Sequence, residues 1–235
     1  MSSKFGVWLI VVAVLMVFLP VNQAMAEKTF VFKYSNSQSD THPRSVSMYY
    51  FKDLVEDASG GRIKVELYTS GVLGKEAEVL DMVKTGELQG CRGGLFERAN
   101  KMYLLYTLPF FFDNTDQVLK LMRGDFVTKV NEVSVDNGLY IPACGVAGGF
   151  RNITNNVKPI KGPADIKGLK MRTPPIDMTI KTFKTLGANP QMVAYTETYM
   201  ALKSNVVDGQ ENPFSNTCLL YTSPSPRDRT HHLVC

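Results

Sequence analysis

The chain has 235 residues, of which 44% are hydrophobic and 20% are charged, a composition typical of a globular protein with a sizeable core. It excludes a disordered chain and a disulfide-dense miniprotein. The formal net charge is only +4, and Lys4 and the two arginines near the C-terminus contribute part of it, so a nucleic-acid partner is not expected.

Residues 1–26 have the pattern of a signal peptide. Lys4 precedes an apolar run over residues 5–19, and the segment ends in Ala24-Met25-Ala26, the small-x-small pattern of a signal-peptidase site. We predict export and cleavage after Ala26. A retained membrane anchor is the alternative, although the apolar run is slightly short for a membrane span.

From residue 27 to 147 the pattern predicts strands that alternate with helices, and we expect this segment to form a first lobe. Strands are predicted at 29–35, 63–67, 88–93 and 139–145. Helices are predicted from Pro43 to Gly60 and over 73–83, and an apolar loop over 104–112. Two further helices are predicted to begin with Asp113 and Asp125 as N-caps.

We place a hinge at the small-residue segment Val146-Ala147-Gly148-Gly149, and we expect residues 148–217 to form the first part of a second lobe. Strands are predicted at 150–154, 169–173, 189–193 and 205–208, helices at 176–183 and 196–203, and a polar turn at 208–213. Strands alternating with helices predict an α/β fold with mostly parallel or mixed sheets. Such folds bind ligands beyond the carboxyl ends of their strands.

Residues 218–235 show no helical or strand periodicity and contain a Ser/Pro cluster. We interpret them as a non-native tail that resembles translated adapter sequence; a natural flexible tail is the alternative. Without the tail, the cysteines that remain are Cys91 and Cys144. Buried free thiols are the default expectation for these two, and a disulfide is the alternative.

The usual catalytic patterns are missing between residues 27 and 217. This stretch has a single histidine, His42, and no Gly-x-Ser-x-Gly, phosphate-binding glycine loop, HExxH or CxxC motif. We therefore expect a binding protein rather than an enzyme, with no catalytic residue, no metal and no cofactor.

Three positions stand out as candidate ligand contacts. Arg172 ends a predicted strand just before Pro174, where its guanidinium could grip a carboxylate with two parallel hydrogen bonds. Arg151 follows the small-residue crossing and could line a cleft between the lobes, and Tyr195 precedes a helix and could form a pocket wall. A surface salt bridge for Arg172, a solvated strand end for Arg151 and ordinary packing for Tyr195 are the alternatives.

Several segments occur together in one order. They are Gly-Arg-Ile-Lys-Val-Glu-Leu-Tyr at 61–68 with Gly-Val-Leu-Gly at 71–74, Leu-Pro-Phe-Phe-Phe at 108–112, Gly-Leu-Lys-Met-Arg-Thr-Pro at 168–174, and Tyr-Met-Ala-Leu at 199–202 leading into Val-Asp-Gly-Gln-Glu-Asn-Pro at 207–213. In this order the chain resembles the DctP-type solute-binding proteins of TRAP (tripartite ATP-independent periplasmic) transporters. The resemblance covers nearly all of residues 27–217.

The resemblance implies a two-lobed periplasmic receptor that closes over a small organic acid, delivers it to a membrane permease and catalyses no reaction. It implies that Arg172 pairs with the ligand carboxylate, that Arg151 and Asn212 also contact the ligand, and that Tyr195 forms an aromatic wall. Members of the family continue well past residue 217, so we expect this chain to be truncated and to fold poorly by itself.

Two other function classes stay open from the sequence. The first is the ligand-sensing ectodomain of a signalling protein, which would use the same pocket. The second is an exported hydrolase, for which no pair of catalytic carboxylates stands out.

Overall fold

The computed structural model describes residues 28–146 and 148–221. The predicted signal peptide and the last part of the predicted tail, residues 222–235, lie outside this range. Among the described residues, no helix combines the length and the apolar character that a membrane crossing requires.

The N-terminal part, residues 28–146, contains a three-stranded parallel sheet. Its strands are β1 (Phe30–Ser35), β2 (Ile63–Tyr68) and β3 (Gly90–Cys91), in the order β2-β1-β3. Helix α1 (Pro43–Ala58) connects β1 to β2, and helix α2 (Glu76–Thr85) connects β2 to β3. Parallel neighbours need such crossover connections, so the alternation predicted from the sequence is confirmed here.

Helix α1 begins as the sequence predicts. His42 is the N-cap, its Nδ1 accepts a hydrogen bond from the backbone N–H of Arg44 at 3.0 Å, and Pro43 takes the first helical position. The apolar positions Val46, Tyr50 and Leu54 are each more than half exposed, because α1 buries the opposite face.

The segment after β3 is helical in short pieces. It comprises 3-10 turns at Phe96–Arg98, Lys101–Thr107 and Val135–Asn137 and the helices α3 (Thr115–Arg123) and α4 (Asp125–Ser134). The predicted apolar loop over 104–112 is thus helical in its first part. The two predicted aspartate N-caps are wrong: Asn114 caps α3 by accepting from the backbone of Gln117 at 3.0 Å, and Gly124 precedes α4.

The strand predicted at 139–145 is also wrong. These residues form no strand, and at Ile141 a side chain takes the place of a neighbouring strand. Asn131 accepts from the backbone N–H of Ile141 at 3.1 Å and donates to the carbonyl of the same residue. A local side-chain clamp of this kind replaces sheet pairing.

The C-terminal part, residues 148–221, contains a mixed four-stranded sheet. Its strands are β4 (Asn152–Asn155), β5 (Lys170–Thr173), β6 (Asn189–Met192) and β7 (Gly209–Asn212), in the order β4-β7-β5-β6. β4 runs antiparallel to β7, and the other pairs are parallel. A 3-10 turn (Pro163–Ile166) and the helices α5 (Asp177–Thr185), α6 (Tyr195–Lys203) and α7 (Phe214–Tyr221) complete this part.

Two predictions for this part need correction. The strand expected at 205–208 and the turn expected at 208–213 are wrong, because the strand is β7, four residues later, and its four residues are all buried between β4 and β5. Helix α7 continues to Tyr221, so the first residues of the predicted tail are helical although their sequence shows no helical period.

Two apolar clusters form the interior. The larger one contains Leu80, Tyr103 and Val130 from the N-terminal part and Ile176 from the C-terminal part, so it joins the two. The smaller one, around Met171 and Phe183, lies under the second sheet.

Cys91 and Cys144 both pack against the larger cluster and are free thiols. The expectation of free thiols is confirmed and the disulfide alternative is wrong, but both side chains are only partly buried. Burial raises the pKa of Cys91 to about 12, so this thiol stays protonated at neutral pH and has little nucleophilic character.

Candidate functional site

A cavity of about 300 Å³ lies between the N-terminal and C-terminal parts. This volume is at the lower end of the range for ligand pockets, so it suits a small molecule. The four residues singled out from the sequence all line it: Arg151, Arg172, Tyr195 and Asn212.

Arg172 lies near the carboxyl end of β5 and is only 2% exposed. Its Nε donates to the carbonyl of Val193 at 2.8 Å, and no described residue accepts a hydrogen bond from its two Nη groups. Burial is the main cause that lowers the pKa of Arg172, to about 10, so the side chain is still a cation at neutral pH. The surface salt bridge alternative is therefore excluded, and a buried cation with free donors beside a cavity is the arrangement expected of an anion-binding residue.

Arg151 differs from Arg172 because its guanidinium already binds a carboxylate of the protein, that of Glu211. Its Nη2 donates to Glu211 Oε1 at 2.8 Å, its Nε donates to Glu211 Oε2, and Nη2 also reaches Asn212 Oδ1 at 3.1 Å. Glu211 is nearly buried, so this pair fixes the guanidinium in place. Arg151 therefore has less capacity for a ligand carboxylate than the sequence pattern suggests.

Asn212 is buried at the end of β7, and both ends of its amide have protein partners. Its Oδ1 accepts from Arg151, and its Nδ2 donates to Gln210 Oε1. Gln210 in turn donates to Thr154 Oγ1 at 2.9 Å and to Thr217 Oγ1 at 3.1 Å. This network orients the polar wall of the second sheet before any ligand arrives.

Tyr195 is the first residue of α6 and borders the cavity between two arginines. Burial raises the pKa of its phenol, and the nearby charges of Arg172 and Arg44 act in the opposite direction. Its hydroxyl therefore stays protonated at neutral pH and can donate a hydrogen bond to an acceptor in the cavity.

The sequence reasoning missed two charged residues of the opposite wall. Arg44 is the second residue of α1, and Glu76 is the first residue of α2. Glu76 Oε1 accepts from the backbone N–H groups of Gly94 at 2.5 Å and Leu95 at 2.9 Å. The available signal was position: both helices follow strands of a parallel sheet, at the edge where α/β proteins bind ligands.

The two parts touch around the cavity. Lys75 Nζ lies 2.7 Å from Glu197 Oε1, and His42 Nε2 donates to Asn216 Oδ1 at 3.1 Å. A Cβ at Gly71 would lie 2.6 Å from the methyl group of Thr196. The two parts thus contact each other directly at these points beside the cavity.

The site has no catalytic arrangement among the described residues. Both ring nitrogens of His42 are occupied, Nδ1 by the start of α1 and Nε2 by Asn216. No group of three or more His, Cys, Asp or Glu side chains in residues 28–146 and 148–221 could hold a metal ion.

A two-sheet α/β fold with a cationic cavity between its parts defines the class: a cleft-type solute-binding protein. Residues 34–220 match the family model described as "Bacterial extracellular solute-binding protein, family 7", DctP. The chain therefore belongs to this family, the DctP-type solute-binding proteins of TRAP transporters, which are binding proteins and not enzymes. The resemblance noted in the sequence is confirmed.

Among its relatives is the C4-dicarboxylate-binding protein DctB of Bacillus subtilis, 31% identical over 83% of this chain and 56% of the relative. The C4-dicarboxylate-binding periplasmic protein DctP of Vibrio cholerae is 32% identical over 79% of this chain and 56% of the relative. The chain thus spans about half the length of these curated relatives.

A crystal structure of a TRAP periplasmic solute-binding protein from Roseobacter denitrificans, with bound β-D-glucuronate, has a similar fold. Its TM-score is 0.75 at 26% identity, over 81% of this chain and 65% of that one. The expected α/β fold of the periplasmic binding protein type, with parallel and mixed sheets, is confirmed by this similarity.

Proposed function

We propose that the protein to which this chain belongs is the extracytoplasmic receptor of a TRAP transporter. It is exported, it captures a small organic acid in the cavity, and it delivers the acid to a membrane permease. The observation that carries this proposal is Arg172, a buried cation that lines the cavity and whose Nη groups have no acceptor among the described residues. The relatives named for dicarboxylate binding and the glucuronate-bound structure support the same ligand class.

Lobe closure supplies the mechanism. The N-terminal and C-terminal parts act as two lobes that move about the small-residue crossing near Gly148 and Gly149, which both have positive φ. The ligand carboxylate binds Arg172 on one lobe, while the other lobe completes the cavity only when closed. The acid therefore shifts an open–closed equilibrium toward the closed form, which the permease recognises.

The test is the substitution Arg172→Lys in the full-length protein. Lysine keeps the charge but loses the planar pair of donors, so we expect weaker binding of the acid by roughly 1.5–3 kcal/mol. Isothermal titration calorimetry against a panel of dicarboxylates, keto acids and sugar acids measures this change.

The matched control is Arg123→Lys, because Arg123 is exposed at the end of α3. The affinity of the Arg123→Lys variant for the acid should equal that of the unmodified protein. If Arg172→Lys also leaves the affinity for every bound acid unchanged, Arg172 is not the carboxylate contact and the proposal fails.

A further inference from the structure

A second, much smaller cavity adjoins the candidate site. It has a volume of about 10 Å³, and it shares the lining residues Ser37 and Glu76 with the larger cavity. Its other polar lining residues come from the end of β1 and the end of β3, and they are Ser35, Asn36, Cys91 and Arg92. A space of this size holds about one water molecule.

Two polar atoms of this lining are buried and have no hydrogen-bond partner among the described residues. They are Ser35 Oγ and Arg92 Nε. Ser35 is 0% exposed, and its backbone carbonyl accepts from the N–H of Arg92 at 2.8 Å, so the pairing of β1 with β3 fixes the two residues side by side. Buried polar groups in proteins nearly always have a partner, because an unpaired donor is costly. Both donors therefore require an acceptor at the cavity.

Two other polar side chains of the lining do not supply this acceptor. Asn36 Nδ2 donates to Ser45 Oγ at 2.9 Å, and Asn36 Oδ1 accepts from the backbone N–H of Gln38. Burial raises the pKa of the Cys91 thiol to about 12, so this group stays protonated and is only a weak hydrogen-bonding partner. The side chains at the end of β1 and β3 thus leave both donors unpaired.

Glu76 brings a carboxylate to the same cavity. Its Oε1 accepts from the backbone N–H groups of Gly94 at 2.5 Å and Leu95 at 2.9 Å, whereas its Oε2 accepts no hydrogen bond from a described residue. The carboxylate lies tightly against the backbone, because a Cβ at Gly93 would overlap Oε1. The lining therefore combines two unpaired donors with one free carboxylate oxygen.

The charges at the cavity favour a neutral occupant. The Arg92 guanidinium repels a metal ion or an ammonium ion, and the Glu76 carboxylate repels an anion of the size of chloride. Water can accept two hydrogen bonds and donate two, and buried waters typically make about three. One water molecule therefore matches both the volume and the hydrogen-bonding groups of the lining.

We propose that this cavity binds one internal water molecule, which accepts from Ser35 Oγ and Arg92 Nε and donates to Glu76 Oε2. The water links the ends of β1 and β3 to the start of α2. Glu76 Oε1 holds the backbone of Gly94 and Leu95, which line the larger cavity, so the water supports that wall from behind. This site is separate from the proposed acid site, and the proposal does not depend on acid binding.

The test is a high-resolution crystal structure of the full-length protein, together with a second crystal soaked in bromide. We expect one electron-density peak about 2.5–3.2 Å from both Ser35 Oγ and Arg92 Nε, without an anomalous signal from bromide at this position. A bromide signal there would identify an anion site and would overturn the proposal. The absence of any peak between the two atoms would overturn it as well.

The variant Ser35→Val gives a second measurement, because its methyl groups fill the space next to the hydroxyl position. We expect its crystal structure to lack the water peak. The matched control is Ser134→Ala, because the Ser134 hydroxyl is equally buried but donates to the Val130 carbonyl at 2.7 Å within α4, so its removal should leave the peak in place. A peak that persists in Ser35→Val would overturn the proposal. If Ser35→Val does not fold, the two crystals of the unmodified protein decide.

Discussion

The residues of the two sheets are buried to very different degrees. In the second sheet all four residues of β7 are buried, and so is Arg172 on β5. In the first sheet the central strand β1 leaves Phe30 and Val31 exposed by 57% and 45%, and the apolar stripe of α1 is exposed as well. Polar residues are thus buried in the second sheet, while apolar residues are exposed in the first.

The difference shows what a polar binding wall needs. Glu211, Gln210 and Asn212 can be buried because each has a hydrogen-bond partner at a fixed position on a neighbouring strand or on Arg151. The precision of the site therefore depends on tight packing of the second sheet. The first sheet contributes to the cavity mainly through the starts of α1 and α2, and it does not need the same coverage to do so.

The largest expected effect tests this difference in packing. Met171 on β5 is 0% exposed, so Met171→Ala should lower the free energy of unfolding by about 2–5 kcal/mol. Met192 on the adjacent strand is 65% exposed, and Met192→Ala should change it by no more than about 0.5 kcal/mol. Chemical denaturation of the full-length protein measures both values.

The same experiment on α1 sharpens the comparison. Val46→Ala should resemble Met192→Ala, because Val46 is exposed among the described residues. A large loss of stability for Val46→Ala would mean that another part of the full-length protein covers this face, and the contrast between the sheets would then disappear.

The next effect concerns pH and the junction between the parts. Burial lowers the pKa of His42 from its usual 6.5, and the charges of Arg44 and Arg92 act in the same direction, whereas the hydrogen bond to Asn216 opposes them. The unfolded chain therefore binds a proton near pH 6.5 that the folded protein resists, so stability falls as the pH drops through this value.

Thermal melts between pH 8 and 5.5 measure this loss. The matched variant is His42→Asn, because asparagine can still cap α1 but does not titrate. We expect its melting temperature to depend less on pH than that of the unmodified protein. Parallel curves for the two proteins would show that His42 does not contribute.

The smallest expected effect concerns the ion pair between Lys75 and Glu197. Both side chains are about half exposed, so the pair should contribute little to closure, and less at high salt. A double-mutant cycle with Lys75→Met and Glu197→Gln, read out as ligand affinity at two salt concentrations, measures the coupling. A coupling that exceeds the effect of Arg172→Lys would make the pair a main determinant of closure.

Much of the fold could be predicted because its signals are local. Pro43 marks the start of α1, the paired glycines after it mark its end, and alternating residues mark β1 and β2. The sequence pattern predicted the wrong structure where tertiary contacts, rather than local preference, determine the conformation. β7 reads as a turn because it is polar, yet its side chains are satisfied across the sheet, and residues 139–145 read as a strand although Asn131 holds them.

The residues of the candidate site also fall into those that the sequence predicted and those that it did not. Arg151, Arg172, Tyr195 and Asn212 were singled out from strand ends and family segments, and the structure brings them to one cavity, where their contact with a ligand stays a prediction. Arg44 could not be found from spacing, because an arginine in the first turn of a helix is ordinary. Arg44 becomes part of the site only because the C-terminal part of the chain packs close to the start of α1.

Gly71 limits how far the cleft can shut. With its φ of +69° and its closest approach to the Thr196 methyl group, this residue has room for a hydrogen but not for a carbon. An alanine side chain at this position would clash with Thr196 and keep the two parts of the chain slightly further apart, while Arg172 would be unchanged. Gly71→Ala would therefore test separately whether the proposed binding of an acid depends on close contact between the two parts.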